Sequence, residues 1–344
     1  MTSRQPKAHN EANKAATGLT AQMNPYVFAL GMVGAALSTM ALVLALIVGV
    51  TPLIWTQGSS SSSVESAYDS TLGLGSALPI PCHSHNDYWR RIPFYSAINA
   101  GCIGIEADVW VVQGELLVGH NLGSLSSGQT LTSMYIQPLV ELLQTKNSVN
   151  DPKIPFRGVY DHDPSQTLVL LVDLKADPNS SWPLLLERLE PLRQRGWLSH
   201  VNNGAFISRP VTVVGTGDTE VRLVNQETPF RDVFFDAPLN ELEEGKYSSL
   251  NSYYTSVSFE KSIGKIGRGG LQPEQLAKLR NQISQAHSRG LKTRYWGMPY
   301  WPLNVRDQLR ELLIDEGVDV LNADDLMEAR DIFAKRGHLV KQSR

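Results

Sequence analysis

Residues 103–112 read IGIEADVWVV, an apolar run that carries two carboxylates, Glu106 and Asp108, at alternate positions. Residues 167–174 (TLVLLVDL) repeat the arrangement, with Asp173 near the end of the run. Short apolar runs bounded by polar residues are typical of strands that are buried on both faces of a parallel sheet. Six further segments share this character: 79–84, 211–215, 231–236, 254–259, 291–296 and 318–322. The sequence therefore contains eight candidate strands.

Helical patterns alternate with these strands, at 94–100, 134–146, 182–195, 273–289 and 303–316. Glycine follows the first, third, fourth and fifth of them, as is typical of helix C-termini. Alternating strands and helices predict a parallel sheet of the α/β class. Eight such strands in the ~250 residues of a (β/α)8 domain predict closure into a TIM barrel. A doubly wound open sheet built from the same elements is the alternative.

A segment of different composition precedes the predicted barrel. No charged residue occurs from Tyr26 to Trp55, and 27–50 exceeds the ~20 residues that a helix needs to cross a bilayer. Basic residues precede this segment and acidic residues follow it, so the positive-inside rule places the N-terminus in the cytosol and the barrel in a lumen or outside the cell. We predict a single-pass membrane protein with these parts: cytosolic tail 1–25, transmembrane anchor 26–55, Ser/Gly-rich stalk 56–78 and barrel 79–344.

Charge and cysteine content exclude several classes of protein. Lys and Arg total 31 against 34 Asp and Glu, a net charge of −3, so the chain lacks the basic field that holds a nucleic acid. We therefore predict no nucleic-acid partner. The two cysteines, Cys82 and Cys102, are too few for a disulfide scaffold. We expect both to be buried free thiols, with a disulfide as the alternative, because a bridge between adjacent parallel strands is geometrically awkward.

Polar residues at the ends of the first three strands form a set of candidate functional groups. In a parallel barrel these strand ends meet at one mouth, and residues i and i+2 of a strand share a face. The groups are His83, His85 and Asn86 after the first strand, Glu106 and Asp108 on the second, His120 in the extension that follows, and Asp173 and Lys175 at the end of the third. Carboxylates on one buried face repel each other unless a cation lies between them. Oxygen ligands favour Mg²⁺ or Ca²⁺, so we predict a divalent cation here.

These groups are the ones that phosphodiester hydrolysis requires. A divalent cation neutralises the non-bridging oxygens, and a lysine holds the phosphate. One imidazole removes a proton from the nucleophile while another protonates the leaving oxygen. The alternative for each residue is a purely structural role. Asp173 and Lys175, for example, can form a simple ion pair at the end of the strand. The joint placement on three successive strands favours the catalytic interpretation.

The order of histidine, Glu-x-Asp, histidine and Asp-x-Lys resembles the PLC-like phosphodiesterase superfamily, which includes glycerophosphodiester phosphodiesterases and sphingomyelinase D enzymes. Residues 295–297 (YWG) and 317–325 (GVDVLNADD) resemble the strand-seven tryptophan and the final strand of the glycerophosphodiesterases. With residues 83–90 (HSHNDYWR) and the N-terminal span, the whole chain most closely resembles the fungal "altered inheritance of mitochondria" protein six family.

The resemblance implies a metal-dependent TIM barrel and a role for each residue. It implies metal ligands (Glu106, Asp108 and Asp173), acid/base residues (His120 and His85, with His83 as the alternative to His85) and a phosphate contact (Lys175). Trp296 would form a wall of the substrate pocket, with simple packing as its alternative role, and we add Asn86 to the predicted substrate contacts. The His-Arg-Gly and Glu-Asn-Thr signatures of glycerophosphodiesterases are missing, and Asn121 stands where those enzymes often have Asp.

We therefore predict a membrane-anchored, metal-dependent phosphoric diester hydrolase that acts on a phospholipid or glycerophosphodiester. One alternative is a catalytically inactive barrel that binds a lipid head group or a partner protein at a membrane. Another is a metal hydrolase of the amidohydrolase type that uses His83 and His85. The middle strands carry none of the histidines that such an enzyme needs.

Overall fold

Eight parallel strands form a closed barrel in the computed structural model, which describes residues 73–148, 156–226, 230–267 and 270–337. In chain order the strands are β1 (Ile80–Ser84), β2 (Cys102–Val112), β3 (Glu115–Val118), β4 (Leu168–Leu174), β5 (His200–Asn202), β6 (Ala205–Ile207), β7 (Val211–Gly217), β8 (Phe230–Arg231), β9 (Val233–Pro238), β10 (Ser252–Ser258), β11 (Lys292–Trp296) and β12 (Val320–Ala323). Around the barrel the order is β1-β2-β4-β7-β9-β10-β11-β12, and β12 pairs with β1 again. The eight predicted strands and their closure are confirmed.

Helices cover the outside of this barrel. They are α1 (Tyr95–Ala100), α2 (Gln137–Lys146), α3 (Pro178–Arg188), α4 (Glu190–Arg193), α5 (Val221–Gln226), α6 (Phe259–Ser262), α7 (Pro273–Ser288), α8 (Leu303–Asp315) and α9 (Leu326–Lys335). The five predicted helices are present, although 134–146 begins with a π-helical turn and 182–195 divides into α3 and α4. Sequence analysis missed α5, α6 and α9.

Alternate residues of each strand point into the barrel, and they change from apolar to polar along its axis. The floor is an apolar cluster that includes Val169, Leu171, Val214, Phe234 and Val320. Two residues further along the same strands the inward positions are polar, as with Asp173 after Leu171. The fold therefore places its polar groups above an apolar floor, at the C-terminal mouth.

Strand β2 extends past the mouth of the barrel, and the chain then turns back as β3. Gln113 and Gly114 both have positive φ (51° and 80°), as a two-residue type I′ hairpin turn requires. Antiparallel pairing then brings Val118 opposite Val109, and the Gly119 amide donates to the Asp108 carbonyl at 3.0 Å. The predicted turn and extension that return His120 to the mouth are thus confirmed.

The expectation that Cys82 and Cys102 are free thiols is wrong, because they form a disulfide across β1 and β2. The pairing of these strands is irregular between Ile80 and His83, with Ile80 opposite Cys102. The two cysteine Cα atoms lie only 4.5 Å apart. The prediction assumed an unbroken parallel register, and the local shift removes the geometric obstacle to the bridge.

The barrel lies within one compact unit, Asp69–Arg344, and the hydrophobic clusters found among the described residues lie in that unit. Within the part of the chain that the structure describes, no helix has the length and apolarity needed to cross a membrane. The predicted tail and anchor, and the predicted stalk up to residue 72, lie outside the described residues. They stay predictions.

Replacing both Cys82 and Cys102 by alanine should lower the free energy of unfolding by about 3 kcal/mol, since the bridge closes a loop of about 20 residues in the unfolded chain. Urea denaturation of the variant and of the wild type measures the difference. Peptide mapping without reductant should recover the two cysteines in one linked peptide pair. Recovery of both as alkylated free thiols would contradict the bridge.

Candidate active site

Three carboxylates converge at the mouth of the barrel. Glu106 and Asp108 alternate along β2, and the register of β2 with β4 places Asp108 directly opposite Asp173. One oxygen from each of the three residues lies within 4.8 Å of the others. Glu106 and Asp108 are buried, and Asp173 is partly buried. The three predicted metal ligands are therefore brought together.

Lys175 lies against two of these carboxylates. Its Nζ donates to Asp173 Oδ2 at 2.6 Å and lies 3.3 Å from Asp108 Oδ2. Burial nevertheless raises the pKa of Asp173 to about 6, because the lysine only partly offsets the loss of hydration. Burial also raises the pKa of Asp108, which lies near Glu106. Lys175 therefore only partly offsets the cost of burying these two carboxylates.

The arrangement fits a divalent cation. Asp173 Oδ1 is buried and accepts no hydrogen bond from any described residue. The side chain of Asp173 lies against the backbone of Gly217, where φ is +66° and an added Cβ would overlap Oδ1. A set of carboxylate oxygens with a free, buried lone pair suits a hard cation that prefers oxygen ligands. The structure thus contains an acidic group that can bind a metal ion.

Arg294 holds Glu106 from below the mouth. Its Nη2 donates to Glu106 Oε2 at 3.1 Å and its Nε donates to Asn322 Oδ1 at 2.9 Å. Its Nη1 lies 4.0 Å from Asp236 Oδ2. The guanidinium is almost completely buried, with 3% of the residue exposed, so this contact is screened little by solvent.

The charge state of Glu106 follows from these neighbours. Burial alone would raise its pKa, but Arg294 and the imidazoles of His83 and His85 reverse the shift and hold the pKa below its ordinary value. Burial raises the pKa of Asp236 to about 6 in spite of Arg294. Of the three carboxylates in the cluster, Glu106 is therefore the one that stays ionised to the lowest pH.

Sequence analysis missed Arg294, Asp236 and Asn322. Each occupies an inward position on a late strand of the barrel. Arg294 lies two residues before Trp296, so it shares the inward face of β11, and that alternation was the only signal available for it. A lone arginine within a strand forms no recognisable metal-binding or phosphate-binding motif.

The two histidines that follow β1 have different environments. His85 is partly exposed at the mouth, where its Nδ1 donates to Asp324 Oδ1 at 2.7 Å and its Nε2 lies 3.9 Å from Glu106 Oε2. His83 is fully buried, and its Nε2 lies 3.8 Å from Glu106 Oε2, which is too long for a hydrogen bond. Burial, with a contribution from Arg294, lowers the pKa of His83 to about 4. The imidazole that faces the open mouth is that of His85.

His120 faces the mouth from the other side of the carboxylates. Its Nδ1 lies 3.4 Å from Asp108 Oδ2 and 3.2 Å from the Tyr88 hydroxyl. The ring packs against Trp89, with 5.0 Å between the ring centroids. About half of the His120 side chain is exposed. Both predicted acid/base residues thus flank the acidic cluster.

The backbone amide and the side-chain oxygen of Asn86 form hydrogen bonds within the protein. Its backbone amide donates to Glu106 Oε2 at 3.3 Å, and its side-chain oxygen accepts from the Tyr88 hydroxyl at 2.7 Å. The residue is buried and adopts a left-handed conformation with φ at 46°. Asn86 therefore supports a predicted metal ligand, and its side-chain oxygen already has a partner.

Trp296 is the last residue of β11 and is 38% exposed. Its register partner is Ser258, which ends β10. The tryptophan thus stands at the rim, above Arg294 on the same face of the strand. Its position at the rim agrees with the expected pocket wall.

A buried ionic group fixes the loop that carries His85. Asp87 accepts from the Ser84 hydroxyl at 2.7 Å and from the Phe94 amide at 2.6 Å. Arg90 donates to Ser84 Oγ and to the backbone carbonyl of Asp324. These bonds join the loop after β1 to the loop after β12, and so hold His85 beside its partner carboxylate.

Comparisons with known proteins identify the family. Residues 74–236 match the family described as "AIM6-like phosphodiesterase domain". The chain is 41% identical over 281 residues to the altered inheritance of mitochondria protein 6 homolog of Arthroderma benhamiae, covering 77% of this chain and 86% of that protein. The chain belongs to the altered inheritance of mitochondria protein 6 family. It is 34% identical over 279 residues to the member from Saccharomyces cerevisiae, covering 74% of this chain and 71% of that protein.

A glycerophosphodiester phosphodiesterase from Parabacteroides distasonis is among the similar solved structures. Its TM-score is 0.43 at 13% identity, and the match covers 75% of this chain and 98% of that one. The predicted resemblance to the altered inheritance of mitochondria protein 6 family is confirmed by the family match and the curated relatives.

Arg294→Met should lower the free energy of unfolding by about 3–5 kcal/mol, because it leaves the Glu106 carboxylate buried without its partner. Arg280→Met is the matched control, since Arg280 pairs with Glu316 at the surface and its removal should cost less than about 1 kcal/mol. Urea denaturation of the two variants measures both values. Equal losses in the two variants would contradict the role given to Arg294.

Proposed function

We propose that this chain is a metal-dependent phosphoric diester hydrolase that acts on a phospholipid or a glycerophosphodiester. The observation that carries the proposal is the acidic cluster of Glu106, Asp108 and Asp173, with one imidazole on each side of it and an amine beside it. The match to an AIM6-like phosphodiesterase domain supports the same reaction class.

The carboxylates would hold Mg²⁺ or Ca²⁺, the cations that oxygen ligands favour. When bound, such a cation neutralises the non-bridging oxygens of the phosphate. Arg294 and the Asn86 amide both occupy Glu106 Oε2, so the other oxygen of that carboxylate is the one available to the metal. Lys175 would exchange part of its contact with Asp173 for a phosphate oxygen, since its amine already reaches the cluster.

His85 and His120 would transfer the protons. Because His85 Nδ1 donates to Asp324, its Nε2 is the nitrogen left to exchange a proton with substrate. One imidazole takes the proton of the attacking hydroxyl as the new P–O bond forms. The other, protonated beforehand, gives its proton to the leaving oxygen as the old P–O bond breaks. The attacking hydroxyl belongs either to water or to the substrate, and the second case gives a cyclic phosphate first.

The proposal includes a place in the cell. The predicted anchor and charge pattern put the barrel in a lumen or outside the cell, close to a membrane that contains its substrate. The Cys82–Cys102 disulfide supports this placement, since disulfides persist in oxidising compartments.

The amidohydrolase interpretation receives less support. It needs His83 as a ligand together with histidines from the middle strands. His83 is fully buried below the mouth, and the described strands β7, β9 and β10 contain no histidine.

His120→Ala should lower the turnover of a phosphodiester by about 10²–10⁴-fold, the usual contribution of a general acid or base. His162→Ala is the control, because His162 is exposed in the loop that precedes β4, away from the mouth. The full chain in detergent is assayed by ³¹P NMR against glycerophosphodiesters, phosphoinositides, lysolipids and sphingomyelin, with Mg²⁺ or Ca²⁺ and with EDTA. Turnover that survives EDTA or His120→Ala would refute the mechanism, and no turnover on any substrate by a folded chain would favour the inactive barrel.

Gly217→Ala should weaken the binding of a divalent cation by about 10–100-fold, the range typical for the loss of support to a ligand. The new Cβ would displace the Asp173 carboxylate. Gly204→Ala is matched in strain, since φ is +76° there and a Cβ would meet no atom within 4 Å. Titration with Mn²⁺, followed by electron paramagnetic resonance, compares the two variants. Equal affinities would show that Asp173 is not a ligand.

A further inference from the structure

Exposed apolar side chains are concentrated at one end of the barrel. The described residues include ten large apolar side chains that are exposed, and eight of them lie on the mouth side. Only Phe230 and Leu250 lie at the opposite end, ahead of β9 and β10. The most exposed are Tyr300 at 83%, Trp301 at 68% and Leu122 at 65%. Single exposed apolar residues are normal on a protein surface, but a one-sided concentration marks an interaction surface.

Five of these eight residues form one sector of the mouth, which we call the aromatic rim: Trp89, Leu122, Tyr300, Trp301 and Leu303. They follow β1, β3 and β11. Strands β11, β12, β1 and β2 are consecutive neighbours in the barrel, and β3 is paired with β2. The rim is therefore continuous with the candidate active site, and the ring of Trp89 packs directly against that of His120.

The charge of the rim is unusual for an exposed surface. Residues 119–140 and 295–305 contain no Asp, Glu, Lys or Arg. In the loop after β1, Asp87 is fully buried, whereas Arg91 is exposed. The neighbouring carboxylates of the β12 loop are engaged, since Asp324 pairs with His85 and Asp325 caps α9. The loops that carry the rim thus present aromatic rings and the exposed Arg91, and the exposed side chains of Asp324 and Asp325 lie beside them in the β12 loop.

We propose that the aromatic rim docks on the surface of a lipid bilayer and turns the mouth toward the phospholipid head groups. Trp and Tyr have an apolar ring with a polar edge, which places them at the level of the head groups. The exposed Arg91 adds a cation that suits a layer of phosphates. The same chain contains the apolar segment 27–50, which we predict to cross a bilayer.

The length of the predicted stalk agrees with a bilayer as the partner. The Ser/Gly-rich composition of 56–78 predicts a tether with a root-mean-square span of about 25 Å, short enough to keep the barrel close to the membrane of the predicted anchor. The rim then needs only weak affinity, because the anchor supplies a high local concentration of lipid surface. Docking itself does not depend on the proposed function. Only the consequence that we draw from it, access to a lipid phosphodiester, rests on that function.

The test removes the predicted anchor, which would bind vesicles by itself. Asp69–Arg344 contains the whole closed barrel and the hydrophobic clusters of the described residues, so it is used alone. Its binding to phosphatidylcholine vesicles, with and without phosphatidylserine, is measured in EDTA by co-sedimentation and by quenching of tryptophan fluorescence with brominated lipid. The rim variant is Tyr300→Ser with Trp301→Ser, and the matched control is Phe230→Ser with Leu250→Ser.

We expect the wild type and the control to bind, and the rim variant to bind at least about tenfold more weakly, a change of about 1.4 kcal/mol. Leu122→Ser serves as a second rim variant if the first fails to show the near-ultraviolet circular dichroism of the folded barrel. The proposal would be overturned if the wild type bound neither kind of vesicle. It would also be overturned if the control variant lost as much binding as the rim variant. EDTA removes turnover from the binding measurement, so hydrolysis is followed separately in the assay with Mg²⁺ or Ca²⁺. Docking in EDTA together with no turnover in that assay refutes only the proposed function, and turnover of a soluble diester without docking refutes only the rim.

Discussion

Repulsion among three carboxylates at the barrel mouth, two of them buried and one partly buried, is the constraint on which the site depends. Glu106, Asp108 and Asp173 share one small space at the barrel mouth, with little water to screen them. The protein neutralises part of this charge from two sides, with Arg294 below Glu106 and Lys175 beside the two aspartates. The pKa values of both aspartates still lie above their ordinary range. With three carboxylates against these two cations, the site can bind a metal ion.

The barrel makes this arrangement possible because it fixes strand register. Pairing of β2 with β4 sets Asp108 opposite Asp173, and the alternation along β2 sets Glu106 on the same inward face. The disulfide between Cys82 and Cys102 ties β1 to β2, and so limits how far the loop carrying His85 can shift relative to Glu106. The positions of the predicted acid/base residues and of the carboxylates therefore depend on the same few strand contacts.

Much of this could be predicted because it follows from periodicity and from order along the chain. Eight apolar runs predicted the barrel, and polar residues at their ends predicted Glu106, Asp108, Asp173 and Lys175. What depends on contacts between distant strands could not be predicted. Arg294 finds Glu106 only after the barrel closes, and the disulfide required an irregular register that no local pattern indicates. The short strands β5, β6 and β8 have two or three residues each, too few to show a period.

Anomalous diffraction from crystals grown with Mn²⁺ tests the proposed metal centre most directly. We expect one strong peak within about 2.0–2.6 Å of oxygens from Glu106, Asp108 and Asp173, with Lys175 moved away from the cluster. A mouth in which Lys175 still bridges Asp108 and Asp173, with Mn²⁺ absent at a concentration that supports turnover, would contradict the account.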